Sequence, residues 1–169
     1  PQQQPTAATI TVSTDVFDVV ISTAGGTLQG LALNNYPVAK DRPDELVTLL
    51  DTDGVTMGLI ESGVRAAAGA AEATHLATFR ASQTSFDLGD ADEIVVPLLW
   101  TDESGLTVEK RYRFKRGSYR IDLEQVVINE SGSEWRGAEY VRIKRRSAPI
   151  ERSMFDVDTY SFIGPIVYD

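Results

Sequence analysis

Apolar and polar residues alternate one for one along Leu106 to Ile128, LTVEKRYRFKRGSYRIDLEQVVI. Leu106, Val108, Tyr112 and Phe114 alternate with Thr107, Glu109, Arg111, Arg113 and Lys115. Arg116-Gly117 breaks the run, and Tyr119, Ile121 and Leu123 then alternate with Arg120, Asp122 and Glu124. A period of two gives one buried and one wet face, the signature of an antiparallel hairpin. If Arg116-Gly117 is the loop, Phe114 faces Tyr119, Tyr112 faces Ile121 and Arg111 faces Asp122. Pairs of these kinds each stabilise a sheet by roughly 0.2–1 kcal/mol.

Similar short runs fill the rest of the chain. Ile10 and Val12, then Val16 to Ile21, read as strands, and Ala24-Gly25-Gly26 is a turn before Leu28 to Leu33. Tyr36-Pro37 is expected to end that strand, because proline donates no ladder hydrogen bond. Asp41 to Glu45 reads as a charged loop. Leu46 to Leu50 and Met57 to Glu61 are strand candidates around the Asp53-Gly54 turn, and Ala77 to Phe86 is a strand with a polar interruption. Residues 64–77, VRAAAGAAEATHLA, form either a helix or a surface loop: alanine favours the helix, and Gly69 costs it about 1 kcal/mol. Glu93 to Thr101 is a strand in which Pro97 points to a sheet edge or a bulge. Trp135 to Arg145 and Tyr160 to Tyr168 complete the strands, the latter broken at Gly164-Pro165. Many short strands with turns between them predict a mainly β sandwich or barrel.

Composition narrows the function. The 169 residues suit one domain with a real core. All of the net charge of −9 falls in residues 1–100, with four Lys and Arg against thirteen Asp and Glu; the remainder balances twelve against twelve. That surplus disfavours nucleic acid and broad docking on anionic lipid. No stretch reaches the ~20 apolar residues that span a bilayer. With no cysteine there is no disulfide, thiol catalysis or thiolate metal site.

Candidate chemistry is sparse. His75 is the one histidine, and nothing around it has nucleophile or ligand spacing, so no catalytic residue, metal site or cofactor is expected. Asp51-Thr52-Asp53-Gly54 and Gly89-Asp90-Ala91-Asp92-Glu93 are fragments of calcium-loop chemistry and read as turns. Gly25-Gly26, Gly117 and Gly164 mark structural turns rather than phosphate loops. Arg142, Lys144, Arg145 and Arg146 form the one basic cluster, either a docking patch for a partner or the solvated face of a strand.

Three stretches together resemble the large periplasmic domain of Gram-negative YidC-type membrane protein insertases. Val12 to Pro37 is similar to the family's "T-D-x-hydrophobic … G-G-x-hydrophobic … Y-P" segment. Val96 to Ser131 is similar to its "T-D-x-x-G … hydrophobic-K-R-G-x-Y" hairpin, and Ser161 to Asp169 to its "S/T-F-x-G" segment. The resemblance covers most of the chain in order and is weakest over Asp41 to Phe86. It implies an antiparallel β-supersandwich of the galactose-mutarotase-like kind, with at most one or two short helices. It also implies a linker end at Pro1 to Ala8, a sandwich over 9–169, and a chain stopping short of the whole family domain.

The implied role is that of a non-catalytic accessory domain on the periplasmic face of the inner membrane. Its implied partners are SecDF and the SecYEG translocon, while nascent membrane proteins are handled by the absent transmembrane part. Mutarotase-like enzymes use histidine and glutamate on a sugar, and a single histidine makes that activity a poor fit. The alternative is a sandwich that binds carbohydrate or extended polypeptide in a cleft carrying Trp100 or Trp135. A sandwich cut short would also leave a strand edge able to pair with a second copy.

Overall fold

The computed structural model describes residues 7–52, 57–67 and 69–146. The Asp53-Gly54 turn, Gly164, the Tyr160 to Tyr168 strand and most of the Pro1 to Ala8 linker lie outside them. Ten strands are present: β1 (Thr9–Ser13), β2 (Phe17–Ser22), β3 (Thr27–Ala39), β4 (Arg42–Leu50), β5 (Gly58–Ala66), β6 (Ser85–Asp87), β7 (Glu93–Thr101), β8 (Leu106–Lys115), β9 (Ile121–Asn129) and β10 (Gly137–Arg145). They form two sheets. The larger runs β10-β5-β3-β2-β1-β6, with β4 also paired to β3, and the smaller is β7-β8-β9. All pairings are antiparallel except β1 with β6. The mainly β sandwich read from the alternation is the fold observed.

The core lies between the sheets. Ile10, Val12, Val19 and Ile21 from the larger sheet meet Val96, Leu98, Val108, Tyr112 and Phe114 from the smaller, all of them buried. β8 is the central strand of its sheet and buries every second residue from Leu106 to Phe114. Pro97 sits on β7, an edge strand in regular register with β8, where its missing N–H breaks no ladder.

Three local expectations are corrected and one alternative is decided. The β8–β9 turn takes Arg116 to Arg120, so Phe114 pairs with Ile121, Tyr112 with Leu123 and Arg111 with Glu124. The slip is of two residues, which keeps every side chain on its face. The strand expected to end at Tyr36-Pro37 runs on to Ala39, and the charged loop is mostly strand β4. Proline is tolerated there because the β3–β4 register shifts between Ala32 and Pro37. Of the two readings of 64–77, the loop holds: Val64 to Ala66 belong to β5, paired with β10, and the other described residues of the segment form no helix. Ala77 to Phe86 is reduced to β6 and two isolated bridges, Ala24 with Thr78 and Arg80 with Leu99.

Candidate functional site

Segments far apart in sequence meet at one corner of the sandwich. The backbone N–H of Gly117, in the β8–β9 turn, donates to Asp15 Oδ2 at 2.8 Å. Asn35 Nδ2 donates to the Asp15 carbonyl at 3.3 Å, and Asn34 Nδ2 to the Thr14 carbonyl at 2.9 Å. Tyr119 packs edge-on against Phe17 at 5.4 Å and against Tyr36 at 5.7 Å. The Thr14-Asp15, Tyr36-Pro37 and Arg116-Gly117-Ser118-Tyr119 stretches thus form a single joint between the sheets. Packing Tyr119 here draws it out of the hairpin and accounts for the five-residue turn.

Inside the sandwich, Lys110 points inward from β8 and is fully buried. Its Nζ donates to Gly25 O at 2.6 Å, Ser62 O at 2.8 Å and Ser62 Oγ at 2.8 Å, and lies 4.8 Å from the centre of the Phe79 ring. Burial pushes its ammonium down to about 7. Tyr112 Oη donates to Gly26 O at 2.6 Å, and burial pushes that phenol up to about 12. Gly25 and Gly26, at φ 70° and 59°, therefore present two carbonyls to the facing sheet. The alternation that reads β8 as a hairpin strand already sets Lys110 on its buried face, between Val108 and Tyr112. A cation at that position is the signal that sequence reading passed over.

β10 divides the basic cluster. Arg142 pairs across the ladder with Glu61 and forms an ion pair with it. It also donates to His75 Nε2 at 2.8 Å. A guanidinium can only donate, so Nε2 is the acceptor and the imidazole proton sits on Nδ1. That proton goes to Tyr140 Oη at 2.7 Å, which also accepts the His75 backbone N–H at 2.9 Å. His75 and Arg142 thus bind the 73–75 segment to the sheet. Lys144, Arg145 and Arg146 are exposed and make no ion pair with a described residue.

The other face of β10 carries the exposed aliphatic side chains Val141 and Ile143 between Glu139 and Arg145. Val141 pairs with Ser62 and Ile143 with Ile60, so both point the way Ser62 points, toward the smaller sheet. Among the described residues that sheet ends at β9, where Gln125 Nε2 reaches Glu139 Oε2 at 3.4 Å. Beyond it Val141 is 61% exposed and Ile143 72%. Among the described residues β10 pairs only with β5. Trp100 and Trp135 are half-buried and pack against the core. Among the described residues no three His, Asp or Glu side chains converge as metal ligands.

A two-sheet, largely antiparallel β-sandwich is the class this geometry defines. Comparison with known proteins gives the family. The model for the YidC periplasmic domain matches residues 9–169. The chain is 38% identical to a membrane protein insertase YidC of Thioalkalivibrio sulfidiphilus, over 98% of the chain and 30% of that protein. It is 41% identical to one of Methylococcus capsulatus over 81% of the chain and 25% of that protein. For one of Nitrosococcus oceani the figures are 36%, 94% and 28%. The chain belongs to the YidC periplasmic domain family, which sets it on the periplasmic face of the bacterial inner membrane. It spans about a quarter to a third of the length of these curated relatives.

Proposed function

We propose that the domain is a non-catalytic docking or spacing module of a membrane protein insertase, meeting SecDF and, through the parent protein, the SecYEG translocon. Nascent membrane proteins are the business of the transmembrane part. The observation that supports this reading is the uncovered side of β10. Among the described residues it joins a strand edge without a partner, two largely exposed aliphatic side chains and Arg145 on one face, with Lys144 on the opposite face and Arg146 just beyond the strand, none of the three ion-paired to a described residue. An open edge offers main-chain hydrogen bonds to an added strand, the aliphatic pair supplies area, and the cations select an acidic neighbour. Arg142 is excluded from that contact, because Glu61 and His75 already hold it.

The test is charge reversal in the full-length insertase. Lys144→Glu with Arg145→Glu and Arg146→Glu should reduce co-purification of SecDF while leaving the domain folded by circular dichroism. Undiminished SecDF recovery from the triple variant would refute the docking role of this strand.

A further inference from the structure

Backbone bonds fix the Ala73 to Phe79 stretch at both ends. Val64 N–H donates to Ala73 O at 3.0 Å, Gly25 N–H to Ala77 O at 2.7 Å and Phe79 N–H to Thr23 O at 2.8 Å. Between these anchors, His75 is tied to β10 by side chains. Its backbone N–H and its Nδ1–H both donate to Tyr140 Oη, and its Nε2 accepts from Arg142 Nη2 at 2.8 Å. The two rings lie edge-on at 6.1 Å. Gly63 on β5 makes room for this contact, since a Cβ there would lie 2.8 Å from Ala73 O and 2.9 Å from Tyr140 Oη. The neighbouring Leu76 is 80% exposed and buries little apolar area, so the bonds of His75 carry the hold on this tip.

The arrangement needs a neutral imidazole. Nε2 accepts only while it lacks a proton, and the guanidinium facing it has donors alone. A proton on Nε2 would set N–H against N–H and cation against cation at 2.8 Å. The surrounding charges do not offset that. Arg142 Nε already engages Glu61, and Glu72 Oε2 accepts the Ala66 N–H at 3.3 Å. Lys144 shares the face of β10 that carries Tyr140 and Arg142, and Arg65 shares the face of β5 that carries Glu61. The Gly25 turn abuts the His75 carbonyl and holds Lys110 Nζ at Gly25 O. These cations outnumber Glu61 and Glu72.

We propose that His75 is a proton-operated latch: protonation at Nε2 parts it from Arg142 and Tyr140 and opens the His75-Leu76 tip, while the flanking backbone bonds stay closed. Arg142 and Tyr140 belong to β10, so the open latch also frees two side chains on the back of that strand. An effect on docking rests on the docking role proposed for β10. The latch itself does not, and the chain alone suffices to test it.

Amide hydrogen exchange followed by NMR on the 169-residue chain, corrected for the intrinsic pH dependence of exchange, provides the test. From about pH 8 to about pH 5, the interval in which histidine changes charge, protection at His75 should fall about fivefold or more, the factor set by one lost hydrogen bond. Val64 and Phe79, bonded to Ala73 O and Thr23 O, should keep their protection. His75→Gln keeps an acceptor for Arg142 and does not change charge, so protection at position 75 should no longer respond to pH. Tyr140→Phe should leave that amide as open at the higher pH as the parent is at the lower. Protection at His75 that is the same at both pH values overturns the proposal. So does a fall of equal size in His75→Gln, a fall that Val64 and Phe79 share, or parental protection in Tyr140→Phe.

Discussion

Lys110→Met is the most informative perturbation of the fold. Methionine keeps the length of the side chain and its apolar stem but removes the three N–H donors. Gly25 O, Ser62 O and Ser62 Oγ, all within 2.8 Å of Nζ, then lose their partner in the dry interior. An unsatisfied buried acceptor costs about 1–3 kcal/mol. Relief of the cost of burying an amine offsets part of this, since burial alone disfavours the charged form. Loss of the cation above Phe79 removes about 1 kcal/mol more. The net expectation is a destabilisation of about 2–4 kcal/mol, or about 5–15 °C in Tm for a domain of this size. Urea unfolding followed by fluorescence and circular dichroism measures it, with m unchanged if only stability moves. Adding Ser62→Ala should recover about 1 kcal/mol, because it removes one of the orphaned acceptors. A Lys110→Met domain as stable as the parent would show that the buried amine is a burden on the sandwich and not a clamp across it.

Three further outcomes follow from the same geometry. The folded-state value of Lys110, about 7, lies below its ordinary 10.5, so the unfolded chain binds more protons between them. Stability should therefore rise with pH across that window, and Lys110→Met should flatten the rise when Tm is followed from pH 7 upward. Gly25→Ala places a Cβ 2.3 Å from His75 O at a φ of 70°, so a loss of about 2 kcal/mol or more in urea unfolding is expected. Tyr119→Ala removes two edge-on ring contacts at the inter-sheet joint and should cost about 1–3 kcal/mol, while Arg120→Ala, on an exposed side chain beside it, should stay within about 0.5 kcal/mol.

How much could be read in the chain depends on the range of the interaction. Strand alternation is local, so β7, β8 and β9 were legible, and the sheet edge at Pro97 with them. The register of the β8–β9 hairpin was not, because Tyr119 is claimed by Phe17 and Tyr36, respectively about one hundred and about eighty residues earlier in the chain, too distant for any local pattern. The alanines of 64–77 favour a helix in isolation. Pairing of Val64 to Ala66 with β10, and the close fit of the 73–75 segment over Gly63, override that preference. The basic cluster was visible as composition, but only the ladder shows that Glu61 claims Arg142 and leaves Lys144, Arg145 and Arg146 free of ion pairs with described residues.

The central claim, that the uncovered side of β10 is where this domain meets its partner, is tested most directly by site-specific photocrosslinking in the full-length insertase. A crosslinker at Ile143 should capture SecDF, and one at Leu49, exposed on β4, should not. Capture at Leu49 with none at Ile143 would contradict the account.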